Sequence, residues 1–149
     1  MENDYNKVKA NILLVEDNIA DIRLTKEVLS ENKIVNNFDV VRDGAEAIDF
    51  LFLQGKFSNA RRPNLILLDL NLPKKNGFEV LEEIKKDENL KRIPVVILTV
   101  SDAKEDLIRA YGLHANCYVI KPLEMKKFYK VINSIVNFWF YTVKHFEDE

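Results

Sequence analysis

Asn64-Leu65-Ile66-Leu67-Leu68-Asp69-Leu70-Asn71-Leu72-Pro73 is the stretch on which the fold turns. Leu65 to Leu68 are apolar without interruption and stop at a carboxylate. A short continuous run of this kind suits a strand covered on both faces, as in a parallel sheet. Upstream, Ile12–Val15 is a run of the same type and Phe38–Val41 a weaker one. Downstream, Val95–Leu98 and Tyr118–Ile120 follow. Helical patterns fill the gaps. Ile22, Leu24, Val28 and Leu29 mark residues 19–31, and Ala45, Ile48, Phe50, Leu51 and Leu53 mark 44–54. Val80, Leu81 and Ile84 mark 77–87, and Leu107, Ile108 and Tyr111 mark 102–112. A longer last helix is expected from about Leu123 to about Lys144. Asp43 and Asn76, each followed by glycine, are candidate helix caps. Five strand–helix units in succession predict an α/β, doubly wound parallel sheet, and five strands favour the flavodoxin-like order 2-1-3-4-5. Gln54 to Pro63 is expected to be surface linkage.

The 149 residues suit a single domain over residues 11–149, preceded by a polar N-terminal extension at residues 1–10. Hydrophobic residues make up 47% and charged residues 31%, an ordinary balance for a globular protein. With a net charge of −2 and no basic stripe, nucleic acid is not expected as a ligand. Arg61-Arg62 and Lys74-Lys75 are isolated pairs and read as solvated. Cys117 is the single cysteine, so no intrachain disulfide can form and a reducing, cytoplasmic setting is expected. No apolar run approaches the ~20 residues that span a bilayer, and none suits a signal peptide.

A doubly wound sheet binds ligands beyond the carboxyl ends of its strands. The residues there are Glu16 and Asp17 after the first run, Asp69 after the third, Thr99 after the fourth and Lys121 after the fifth. Any one of them reads equally well as a cap or a solvated loop residue. Their convergence on one rim does not. Two unit charges at 4 Å interact by about 4 kcal/mol at an effective dielectric near 20, so clustered carboxylates call for a cation or a raised pKa. All-oxygen ligation suits Mg²⁺. Asp17 and Asp69 are the candidate ligands, with Glu16 beside them or acting through water, and the Asn71 backbone carbonyl is placed to complete the set. Asp69 is then a candidate nucleophile toward phosphorus, with Lys121 and Thr99 as contacts for the phosphoryl oxygens.

Glu16-Asp17, Asp69, Thr99 and Lys121-Pro122, in this order and strand context, resemble the response-regulator receiver domains of the CheY-like superfamily, and the likeness runs from Asn11 to Leu123. The resemblance implies that Asp69 is the phosphoacceptor and Glu16-Asp17 the acidic metal-binding pair. It also implies that Asn71 offers its carbonyl to the metal, that Thr99 and Lys121 touch phosphate, and that Tyr118 is the switch aromatic. It further implies a cis Lys121–Pro122 peptide and a sensor histidine kinase as partner. Residues Arg62 to Gly77, Asn116 to Tyr118 and the aromatic C-terminus are similar to single-domain regulators that partner phytochrome-type kinases. One departure is Val100, where the family usually has Ala or Gly, so fast phosphorylation by small donors is not expected.

The resulting expectation is a stand-alone regulator, not a turnover enzyme, in which Thr99 moves toward the phosphoryl group and Tyr118 fills the space vacated. On the last helix, Phe128, Ile132, Ile135 and Trp139 form one stripe that can cover the sheet. Tyr129, Val136, Phe140 and Val143 form a second, which would be exposed and predicts a homodimer through this helix and the fourth-helix/fifth-strand face. Two rival readings are a phosphorelay intermediate and an aspartyl-nucleophile phosphohydrolase. The latter normally has a second acid two residues after its nucleophile, where this chain has Asn71. A scaffold without chemistry would not need the intact set. A Rossmann dehydrogenase would need a glycine-rich turn that Val15-Glu16-Asp17-Asn18 lacks. His114 reads as a loop residue.

Overall fold

The computed structural model describes residues 9–33 and 35–142. Leu65–Leu68 is a strand with every side chain buried, as its unbroken apolar run requires. In chain order the elements are β1 (Ala10–Val15), α1 (Ile19–Glu31), β2 (Val35–Val41), α2 (Gly44–Leu51), β3 (Leu65–Leu68) and α3 (Gly77–Lys86). They continue with β4 (Val95–Thr99), α4 (Lys104–Gly112), β5 (Cys117–Ile120) and α5 (Met125–Asn137). The strands pair in parallel in the order β2-β1-β3-β4-β5, the expected flavodoxin-like arrangement.

Side chains alternate across a strand, so each central run feeds two cores. Leu13, Val15, Ile66, Leu68, Val95 and Ile97 meet α2, α3 and the buried Ala110 of α4 on one face. Ile12, Leu14, Leu65, Leu67, Val96 and Leu98 meet α1 and α5 on the other. The expected caps form. Asp43 accepts the Glu46 N–H at 2.7 Å, and Asn76 and Glu79 make a reciprocal capping box at the start of α3. Gly77 is required there: a Cβ at this position would lie 2.3 Å from the Asp69 carbonyl oxygen, so only glycine lets α3 approach the end of β3.

Three expectations need correction. Gln54 to Pro63 is more than surface linkage: it contains a 3₁₀ turn at Gly55–Phe57, the Phe57 ring stands edge-on to Phe50 at 5.2 Å, and Pro63 is buried. The last helix is not uniformly α. It begins at Met125, and at Phe138–Thr142 the chain widens into a π turn; beyond Thr142 it lies outside the described residues. The second apolar stripe of α5 is not left exposed. Val136 and Phe140 are buried and Tyr129 packs partly against the same core, while Val143 lies outside the described residues. The reason is that α5 touches α1 as well as the sheet. Asn32, just after α1, donates to Asn133 at 2.9 Å and Asn137 at 3.1 Å, and Tyr129 donates to Glu31. A helix seated between a sheet and a second helix buries two adjacent faces, so two stripes can both be core. No helix among the described residues is long and apolar enough to cross a membrane.

Candidate functional site

The backbone ladder carries on for one residue past the strands and ties the rim down. Glu16 N–H donates to Val41 O at 3.0 Å, Asp69 N–H to Val15 O at 3.0 Å, and Lys121 N–H to Thr99 O at 2.7 Å. Glu16, Asp69, Thr99 and Lys121 therefore sit at the same level at the carboxyl edge of the sheet. They are four of the five buried polar or charged residues among those described, the fifth being Thr25. Burying polar groups is costly unless they are paired, so concentrating them here marks the rim as the place where the fold carries charge for a purpose other than packing.

The pairing centres on Lys121. Its ammonium donates to Glu16 Oε2 at 2.6 Å, Asp21 Oδ2 at 2.9 Å and Asp69 Oδ2 at 3.1 Å. The second oxygens are also used: Glu16 Oε1 accepts the Asn18 N–H at 3.1 Å, and Asp69 Oδ1 accepts the Asn71 N–H at 3.3 Å. Burial disfavours the Lys121 ammonium, but the hydrogen bond and charge of Glu16, with those of Asp21 and Asp69, outweigh it and hold its pKa above the usual lysine value. Glu16 is pushed up to about 7, by burial first and by the neighbouring Asp69 charge second, against the pull of Lys121. Three carboxyl groups around one ammonium leave the rim short of positive charge.

Asp17 departs from the expected arrangement. Its side chain is about half exposed and lies 3.8 Å from Arg42, which also donates to the Asp17 carbonyl at 3.3 Å. Among the described residues no three Asp, Glu, His or Cys side chains converge as a metal centre, because the Lys121 ammonium occupies the middle of the cluster and Asp17 faces outward. The donor set still fits a hard divalent cation: it is all oxygen, it is short of positive charge, and an exposed pair such as Asp17–Arg42 holds by only about 0–1 kcal/mol.

Thr99 is fully buried, and its Oγ1 accepts the Ser101 N–H at 3.4 Å. The Tyr118 ring packs partly on the core, and its hydroxyl donates to the Ser101 carbonyl at 3.0 Å. Partial burial raises the Tyr118 pKa, a shift that the Ser101 hydrogen bond opposes. Ser101 Oγ in turn donates to Asp106 at 2.6 Å at the start of α4. The Lys121–Pro122 peptide is trans, contrary to expectation. Trans is the favoured isomer even before proline, by about 0.5–1 kcal/mol, and in it Lys121 already makes both its backbone and its ammonium contacts. His114 has φ 71° at the end of α4, where its N–H bonds the Tyr111 carbonyl, a helix-terminating role.

Three participants escape sequence reading. Asp21 stands three residues after the cap Asn18, where an acid is sufficiently explained by the positive end of the helix dipole. Ser101 and Asp106 look like ordinary loop and first-turn residues. Only the spacing of Ser101 from Thr99 places it near the rim.

Residues 12–133 match the response regulator receiver domain family. Response regulator Rcp1 of Synechocystis sp. is 51% identical over 143 residues, spanning 96% of this chain and 97% of that one. In structure, the phosphorylated cyanobacterial phytochrome response regulator RcpA is similar with a TM-score of 0.91 and 46% identity, covering 94% of this chain and 100% of that one. The Mn(2+)-bound form of Rcp1 is similar with a TM-score of 0.88 and 51% identity, covering 93% and 99% of the two chains.

Proposed function

Since this chain belongs to the response regulator receiver family, whose members signal by phosphorylation in two-component systems, we propose that Asp69 accepts a phosphoryl group from a sensor histidine kinase of phytochrome type. A carboxylate oxygen of Asp69 attacks the phosphorus of a phosphohistidine. The P–O bond forms as the P–N bond breaks, and the departing imidazole nitrogen keeps the electron pair and takes up a proton. Lys121 neutralises charge on the transferring group, and Thr99 donates its hydroxyl to a phosphoryl oxygen. Asp17, Asp69 and the Asn71 carbonyl, with Glu16 beside them, would hold a divalent cation, Mg²⁺ in the cell, which supplies positive charge to the phosphoryl oxygens. The family signals rather than turns over substrate, and the product here is a phosphorylated protein.

The observation that carries this reading is the buried ammonium of Lys121 bonded to both Glu16 and Asp69 at the end of a parallel sheet. The kinase type is supported by the likeness to RcpA, a phytochrome response regulator by name. The test is transfer from a phosphate-loaded, phytochrome-type kinase in magnesium buffer. The expected result is one base-labile phosphoryl group per chain, lost on Asp69→Asn and on chelation of the metal. Label that survives Asp69→Asn would overturn the assignment.

The phosphorylated state, with roughly −1.5 to −2 added charge, would draw Thr99 and shift Tyr118 and α4 through Ser101. The face that changes carries exposed Leu107, Ile108, Tyr111 and Ile120, flanked by Leu123 just before α5 and Met125 at its first residue. This apolar surface supports a homodimer through the α4–β5 face and the adjoining α5. Sedimentation at micromolar protein that shows only 17.4 kDa species with and without phosphorylation would reject it. A cytoplasmic site of action accords with the single, unpaired cysteine.

A further inference from the structure

We propose that Asp21 is a positioning residue for phosphoryl acceptance: it occupies one N–H of the Lys121 ammonium in the resting chain and yields it when a phosphoryl oxygen arrives. The inference rests on Asp69 being the acceptor.

A primary ammonium has three N–H donors. In Lys121 all three end on carboxylates, those of Glu16, Asp21 and Asp69, at 2.6, 2.9 and 3.1 Å. The ammonium therefore reaches a new oxygen only by giving up an old one. The three partners differ in what release leaves behind. Glu16 is buried, and uncovering it would strand a carboxyl group with no water to replace the ammonium. Asp69 is the reacting group and stays beside the phosphoryl oxygens. The Asp21 side chain is 26% exposed, so solvent can take the vacated place.

Asp21 is also anchored independently of Lys121. It lies in the first turn of α1, and its N–H is fixed by the cap oxygen of Asn18 at 3.0 Å. The amino end of a helix favours a carboxylate there with or without a cation. Its neighbour Asp17 cannot play this part, since it faces Arg42. Asp21 thus competes with the incoming group for one donor and adds negative charge beside it. Removing its charge should tighten phosphoryl binding at only a small cost to the start of α1.

The test titrates the full chain with beryllium trifluoride in magnesium chloride, a phosphoryl mimic, following the bound fluorine signals by NMR. Wild type, Asp21→Asn, Asp21→Glu and Asp69→Asn are compared. The half-saturating concentration of Asp21→Asn should fall about three- to fivefold, with Asp21→Glu returning toward wild type and the unligated Asp21→Asn chain folded and melting only slightly below wild type. In the metal-free chain, the Lys121 ammonium protons should exchange faster in Asp21→Asn than in wild type. Equal or weaker binding by Asp21→Asn, while wild type binds and Asp69→Asn does not, overturns the role of Asp21 alone. Failure of wild type to bind, or binding by Asp69→Asn equal to wild type, overturns both this inference and the assignment of Asp69.

Discussion

The two ends of the sheet each hold a lysine with three oxygen acceptors, yet the two ammonium groups behave oppositely. At the carboxyl end, Lys121 meets three carboxylates and its pKa is held above normal despite burial. At the amino end, Lys85 of α3 donates to the carbonyls of Lys91 and Ile93, at 3.2 and 3.0 Å, and to Asn116 Oδ1 at 2.9 Å. All three of those acceptors are neutral, and burial lowers the Lys85 pKa to about 8. Partner charge, not the number of hydrogen bonds, separates them. Lys85 ties α3 to the loops that open β4 and β5, a structural task that neutral oxygens serve. Lys121 balances carboxyl groups that no packing argument would place there, so its end of the sheet is the one built for chemistry.

The sharpest way to break this contrast is the same substitution at both ends. Lys121→Met leaves Glu16 and Asp69 buried without their cation and should cost about 3–5 kcal/mol in urea denaturation. Lys85→Met should cost about 1 kcal/mol. Equal losses would end the distinction. Next in size, Gly77→Ala forces a methyl group toward the Asp69 carbonyl and should cost about 1–3 kcal/mol, with loss of divalent-cation affinity measured by calorimetry. An Ala at Gly112, where a Cβ meets nothing within 4 Å, is the control.

A smaller effect belongs to α4, which buries only Ala110 and has the Arg109 guanidinium 4.2 Å from the Phe78 ring centre. Arg109→Ala should weaken that hold by about 0.5–1 kcal/mol. It should speed hydrogen exchange in α4 while that of β1 and β3 stays unchanged. The last test is a pH slope. Because the Lys85 pKa is lowered from 10.5 to about 8 on folding, the unfolded chain binds more protons between those values, and stability contributed at this site rises as pH climbs through that window. Lys121, raised instead, adds no rise there. Urea midpoints of wild type and Lys85→Met between pH 8 and 10.5 should show that rise in wild type and a flatter curve in the variant.

Much of this molecule is legible in its sequence. The unbroken runs at Ile12, Leu65 and Val95 specify doubly covered strands because a parallel sheet has no wet face. The strand order then sends Glu16, Asp69, Thr99 and Lys121 to a single rim. The loop around Phe57 was not legible, since one aromatic in a polar stretch does not announce its partner, Phe50. Nor was the trans Lys121–Pro122 peptide, which the family resemblance implied would be cis.

The sequence by itself determined the sheet, its order and the chemical character of its rim, because these follow from periodicity and from residues adjacent to each strand. Tertiary structure alone decided that Asp21 rather than Asp17 joins Lys121, and that both stripes of α5 are covered. Such choices depend on where a side chain 100 positions away arrives, and on whether a helix rests on one neighbour or lies between two. Local spacing shows which face a residue occupies. It holds no record of what the chain later brings against that face.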